Sequence, residues 1–168
     1  DHYQNLHLLV NNAGIIPERR RVTVNGIEMQ LAVNHLAPFL LTNLLLGALK
    51  SGAPSRIVTV ASQVHSSSPL DFTDLQSDHS YVASQVYRRT KLANIMFTYE
   101  LARRLEGTHI TANCLHPGVI ATDLLDNYMA SSSTAGFANG SHIVGDTPTT
   151  GAKAVLHVAT SPNTQDVN

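Results

Sequence analysis

Ser84-Gln-Val-Tyr87-Arg-Arg-Thr-Lys91-Leu-Ala-Asn-Ile-Met-Phe97 opens a segment whose apolar residues recur at Leu92, Ile95, Met96, Tyr99, Ala102 and Leu105. That spacing predicts a helix over about 84–106 with a single buried stripe. Ser84 is the expected N-cap and Gly107 the expected stop. Tyr87 and Lys91 are four residues apart, so on a helix they share a face, one turn from each other.

The pairing has chemical content because a free tyrosine ordinarily titrates near 10 and is a poor acid or base at neutrality. An ammonium about 4 Å away stabilises the phenolate by roughly 4 kcal/mol at an effective dielectric of about 20. The pKa would then fall by up to about three units before desolvation subtracts its share. A tyrosine so lowered can pass protons to and from a substrate oxygen. Alone, a Tyr-x-x-x-Lys spacing is weak, since any amphipathic helix can carry one. The surrounding chain supplies the weight.

Upstream, Leu6-His-Leu-Leu-Val10 is a short apolar run ending in Asn11-Asn-Ala-Gly14, which suits a strand buried on both faces and entering a tight turn. A polar and basic loop follows, then a helix over about 26–50. Arg56-Ile-Val-Thr-Val-Ala-Ser62 reads as a second buried strand. Beyond the Tyr87 helix, His109 to Leu115 reads as a third strand and ends at His116-Pro-Gly118. Residues from about 127 to 146 are small and read as a mobile loop, and a helical pattern resumes over about 150–160. Strand, helix, strand, helix, strand at these spacings describes right-handed parallel crossovers. The expected fold is therefore α/β: a Rossmann-like open parallel sheet with helices on both faces. Ligands in such sheets bind beyond the carboxyl ends of the strands, where Asn11–Gly14, Ala61–Ser62 and His116–Gly118 all fall.

With 168 residues the chain holds one domain, and 43% hydrophobic against 14% charged residues excludes a disordered or coiled-coil class. The net charge of -1, with Arg19-Arg20-Arg21 the only basic cluster, argues against nucleic acid as a partner. A single cysteine, Cys114, excludes an intrachain disulfide and fits a reducing, cytoplasmic setting. No apolar run is read as reaching membrane-spanning length, an anchor upstream of Asp1 being left open. The nine histidines show no metal-ligand spacing, so no metal site is expected. Both ends look abrupt, and residues 1–168 read as one partial dinucleotide-binding and catalytic domain.

Five stretches resemble the short-chain dehydrogenase/reductase family, and within it the retinol-dehydrogenase-like branch. They are Asn11-Asn-Ala-Gly14, Val33-Asn34-His35-Leu36, Arg56 to Ser62, Tyr87-x-x-x-Lys91 with Leu92-Ala-Asn94, and His116-Pro-Gly-Val-Ile-Ala-Thr122. The resemblance implies an NAD(P)-dependent oxidoreductase that moves a hydride between a nicotinamide cofactor and an alcohol or carbonyl substrate, with NADP slightly preferred on resemblance alone. It implies that Ser62 polarises the substrate oxygen, Tyr87 is the general acid/base, and Lys91 lowers its pKa and binds the nicotinamide ribose. Asn34 would hold a water linking Lys91 to solvent. Asn11, Ala13 and Gly14 would line the adenosine side of the cofactor, and Pro117, Gly118, Ile120 and Thr122 the nicotinamide side. The family's glycine-rich pyrophosphate turn is absent from residues 1–168, as are its NAD/NADP-selecting residue and its last strand. The sequence therefore reads as the C-terminal part of a doubly wound domain, expected not to bind a dinucleotide by itself.

Tyr81 and Tyr99 are the rival tyrosines. Tyr81 has Gln85 one turn on in place of a lysine, and Tyr99 has Arg103, whose charge is permanent. Pro38 lacks the N–H that would bond the Asn34 carbonyl, so a bend is expected there, with that carbonyl left to water. A second reading is a non-catalytic scaffold. Its two long helices would form an association surface or homodimer, with Ala93, Phe97 and Leu101 as the outer apolar row.

Overall fold

The apolar and β-branched runs become three strands, β1 (Leu8–Asn11), β2 (Ser55–Val60) and β3 (Ile110–Leu115). They form one parallel sheet in the order β1-β2-β3, with Leu9 opposite Ile57 and Ile57 opposite Ala112. This is a computed structural model, and it describes residues 4–132, 145–164 and 167.

Both parallel joins need crossovers. The first is a helix in three pieces: α1 (Met29–Leu31), a π-helical segment (Ala32–Leu36) and α2 (Ala37–Ser51). It starts at residue 29 rather than 26 because Glu28, fully buried, caps it: its carboxylate accepts from the backbone N–H of Gln30 at 2.9 Å and of Leu31 at 2.7 Å. The second crossover is α3 (Ala83–Arg104). Its N-cap is Val82, while Ser84 lies inside the first turn with its hydroxyl donating to the Ser131 carbonyl at 3.2 Å. The helix ends at Arg104, three residues before Gly107, whose φ of +76° lets the chain turn toward β3.

Leu49 from α2, Leu101 from α3 and Leu105 at its C-cap meet Leu9, Ile57, Ile110 and Ala112 on one sheet face. α5 (Pro148–Thr160) covers the other face, where Arg56 Nη1 donates to the Val158 carbonyl at 3.2 Å. Helices on both faces of an open parallel sheet are therefore present as expected. β1 differs in one respect: among the described residues it is an edge strand, and α5 packs chiefly over β2 and β3. Val10 consequently remains 36% exposed, so β1 is buried on one face and not on two.

Three other expectations are corrected. Met29–Ser51 is long and apolar enough to cross a membrane by length and composition, contrary to the reading that no run is. It forms the crossover between two parallel strands, with Leu49 in the core and Leu45 and Leu46 packed against it, while Phe39, Leu40, Leu41 and Leu44 are exposed. Residues 123–131, half of them read as loop, form helix α4 (Asp123–Ser131), while 133–144 lie outside the described residues. Finally, α3 is rotated from the predicted stripe. Met96 and Tyr99 are 50% and 70% exposed, whereas Tyr87, Thr90, Lys91, Asn94, Thr98 and Leu101 face inward. Leu101 is thus a core residue and Phe97 packs against that core, so the row Ala93, Phe97, Leu101 is not an outer face.

Candidate active site

The ends of β1 and β2 and the first turns of α3 converge on one hollow. Ser62 follows β2 in extended conformation, φ -154° and ψ 149°, and its side chain stands close enough to Tyr87 of α3 to pull on the phenol's titration. Tyr87 is 7% exposed, packed with Ile16 and Ala83 and edge-on to Tyr128 of α4 with ring centroids 5.8 Å apart. Lys91 is 3% exposed. Its Nζ donates to the Val60 carbonyl at 2.8 Å and lies 5.4 Å from the Tyr87 ring centroid.

The electrostatics differ from the expectation that Lys91 lowers Tyr87. Burial pushes the Tyr87 phenol up to about 12, against the opposing pull of Ser62, and Tyr128 adds to the rise. Burial also pushes the Lys91 ammonium down to about 8. The phenolate is disfavoured in this dry site more than its polar neighbours compensate. Lys91 spends its hydrogen bond on the Val60 carbonyl. At neutral pH Tyr87 is a protonated donor.

Asn34 is fully buried within the π segment. Its side chain clamps the backbone of Ile15, accepting from the N–H at 2.8 Å and donating to the carbonyl at 3.0 Å, and it reaches Thr90 Oγ1 at 3.3 Å. The helix is irregular here, as Pro38 predicts, and the Asn34 carbonyl already has one donor from the chain. Asn94 Nδ2 donates to it at 2.9 Å, because a buried carbonyl without a donor is costly and α3 passes close enough to supply one.

Gly14 tests whether a nicotinamide cofactor fits. A Cβ placed there would stand 3.6 Å from Asn34 Oδ1, 3.7 Å from Lys91 Nζ and 3.8 Å from Leu124 Cδ1. The glycine keeps open a space bordered by an amide oxygen, which accepts, and an ammonium, which donates, a pair suited to a ribose diol. Ala13 is exposed beside it. Asn11 is committed elsewhere: its amide donates to Thr42 Oγ1 at 3.0 Å, tying β1 to α2. On the far side, Pro117, Gly118, Ile120 and Thr122 follow β3. Gly118 has φ +93°, Thr122 is exposed, and Ile120 bridges to Asp146 through the Ala121 N–H, 2.8 Å from the Asp146 carbonyl. These residues fit the nicotinamide-ribose half of such a cofactor.

The rival tyrosines fall away. Tyr81 donates to the Pro17 carbonyl at 2.8 Å, and Tyr99 stands 70% exposed. Two residues escaped the sequence reading of the site. Tyr128 fell in the segment read as loop. Asn94 closes the resembling stretch Leu92-Ala-Asn94, but no role was assigned to it, and nothing in the pattern marked its partner.

Comparison with known proteins agrees with this geometry. A model of the family described as short chain dehydrogenase matches residues 1–132. Retinol dehydrogenase 14 of Homo sapiens is 48% identical over 164 residues, covering 97% of this chain and 49% of that protein. Retinol dehydrogenase 12 of Bos taurus is 48% identical over 120 residues, covering 71% and 38% respectively. A crystal structure of a short chain dehydrogenase from Burkholderia cenocepacia J2315 in complex with NADP superposes with TM-score 0.68 at 25% identity, covering 98% of this chain and 62% of that one. The chain spans about half the length, or less, of the curated relatives it matches. It belongs to the short-chain dehydrogenase family of oxidoreductases.

Proposed function

We propose that the protein carrying this chain is an NAD(P)-dependent alcohol dehydrogenase or carbonyl reductase. Tyr87 serves as general acid/base, with Ser62, Lys91 and Asn34 around it. The observation that carries this reading is buried Tyr87 with Lys91 Nζ 5.4 Å from its ring centre and Ser62 near it at the end of β2, Lys91 and Asn34 both bordering the Gly14 space. In carbonyl reduction the neutral Tyr87 hydroxyl gives its proton to the substrate oxygen and is left as the phenolate; in alcohol oxidation it must first be the phenolate, which takes the proton from the alcohol oxygen. Ser62 aims a neutral donor at the oxygen where charge develops. Lys91, held by Val60, presents its remaining N–H donors toward the Gly14 space. The nicotinamide, when bound, supplies or accepts the hydride.

The substrate side is apolar. Ile16, Val64, Tyr81, Leu124 and Tyr128 surround Tyr87, which suits an apolar carbonyl or alcohol. The printed names of the relatives put retinol first among the candidates to assay. The NADP held by the Burkholderia cenocepacia structure makes NADP the first cofactor to test. A homodimer through the long helices is part of the same proposal, now on Leu40, Leu44 and Met96, which remain exposed beside the Phe39–Phe97 contact. A reducing, cytoplasmic setting is our reading of the lone Cys114.

The test is a turnover panel with the full-length protein, NADH and NADPH being followed separately against retinal and other apolar aldehydes and ketones. Cofactor oxidation dependent on one of these carbonyls is the expected result. A folded full-length protein that binds neither cofactor would contradict the proposal and leave the scaffold reading.

A further inference from the structure

Asn94 is 1% exposed on the inward face of α3, and its amide spans two neighbours in the π segment. Nδ2 donates to the Asn34 carbonyl at 2.9 Å, and Oδ1 lies 3.0 Å from His35 Nδ1. An amide oxygen only accepts, so His35 carries its proton on Nδ1 here. The His35 ring is fixed in turn between Phe39 and Phe97, with centroids 6.4 Å and 6.3 Å away. The backbone of α3 has no free donor to offer Asn34 at that depth. Pro38, which is the residue an α-helical carbonyl at Asn34 would bond, has none either. One side-chain amide from the neighbouring helix does what the missing N–H cannot.

The consequence reaches the site through Asn34. Its carbonyl is pinned by Asn94 on one side and its side chain clamps Ile15 on the other. Ile15 adjoins Gly14, whose missing Cβ keeps open the space beside Asn34 Oδ1 and Lys91 Nζ. We propose that Asn94, oriented by His35, is a positioning residue: it holds the π turn so that Asn34 fixes the Gly14–Ile15 backbone at the cofactor side of the hollow. This rests on the functional reading above and names the residue that sets the geometry of its Asn34.

The test uses the full-length protein and two readouts, amide exchange at Ile15 and steady-state kinetics. Asn94→Leu keeps the branch at Cγ and removes the donor. Loss of one buried hydrogen bond should speed Ile15 exchange about tenfold or more while the β2 amides of Ile57 and Val58 stay protected. kcat should fall by a similar factor, with KM for the carbonyl within about threefold, the pattern of lost transition-state geometry. Pro38→Ala restores a backbone N–H to the Asn34 carbonyl, so in that background Asn94→Leu should change Ile15 exchange by less than about threefold. His35→Phe keeps the ring contacts and removes the Nδ1 donor, and should loosen Ile15 in the same direction by a smaller factor. This variant carries the test if Asn94→Leu does not fold. Unchanged Ile15 exchange in either single variant, or additive effects in the Pro38→Ala background, overturns the positioning role. Tyr87→Phe serves as control: if that variant keeps its activity, the functional reading fails on its own account, whatever Asn94 does.

Discussion

Lys91 Nζ lies 5.4 Å from the centre of the Tyr87 ring, with its hydrogen bond directed to the Val60 carbonyl at 2.8 Å. The pair is therefore a buried phenol beside a buried ammonium, each pushed by desolvation toward its neutral form.

This arrangement makes stability depend on pH with a sign that can be worked out. Unfolded lysine keeps its proton to about 10.5, whereas folded Lys91 gives it up near 8. Between those values the unfolded state binds more protons, so stability rises with pH. Denaturant unfolding at pH 8, 9 and 10 should show the parent gaining up to about 2 kcal/mol on a Lys91→Met variant across that window. Above 10 the sign reverses, because folded Tyr87 holds its proton to about 12 while unfolded tyrosine loses it near 10. Parallel curves for parent and Lys91→Met between pH 8 and 10 would show that Lys91 is not desolvated as described.

Gly14→Ala separates binding from folding. The added methyl meets its neighbours at 3.6–3.8 Å, ordinary contact distance, and Gly14 is not among the residues with positive φ. Stability should stay within about 0.5 kcal/mol. The methyl nevertheless fills space between Asn34 and Lys91, so KM for the nicotinamide cofactor should rise about tenfold, as for a loss of about 1.4 kcal/mol. Unchanged cofactor KM would place the cofactor elsewhere.

Gly52→Ala should do the opposite. A Cβ there would run into the Leu6 carbonyl oxygen and stand 2.8 Å from the Leu6 carbonyl carbon and nitrogen, all backbone atoms that cannot swing aside. The junction of α2 with the start of β1 must then shift, at a cost of about 1–3 kcal/mol. Equilibrium unfolding measures it, and a variant as stable as the parent would contradict the packing at this junction.

Much of the fold could be read from residues alone, because β-branched runs and polar strand ends are local signals. The three strand ends and the Tyr87–Lys91 face are of this kind. The inward face of α3 was not legible, and the reason is physical. Thr90, Asn94 and Thr98 are polar, yet each is buried at little cost: Thr90 and Thr98 bond the carbonyls of Tyr87 and Asn94 at 2.8 Å, and the Asn94 amide bonds Asn34. A hydrophobicity pattern counts them as exposed and assigns Met96 and Tyr99 to the core instead. Helix α4 was hidden for a different reason. It carries no buried residues, and its hydrogen bonds to α3 come from Arg88 Nε to Tyr128 Oη at 2.7 Å and Ser84 to the Ser131 carbonyl, beside the Tyr87–Tyr128 ring contact. The rise in the Tyr87 pKa was equally invisible, since the charge pair is apparent in sequence and its burial is not.

The most direct test of the account is the rate of carbonyl reduction by full-length Tyr87→Phe at saturating cofactor. The phenyl ring keeps the packing against Ile16, Ala83 and Tyr128 and lacks only the proton donor. The account predicts that kcat falls at least about 10²-fold, the usual contribution of a positioned acid or base, with cofactor affinity within a few-fold of the parent. A Tyr87→Phe protein that retains more than about a tenth of the parental rate would contradict the assignment of Tyr87 as the acid/base.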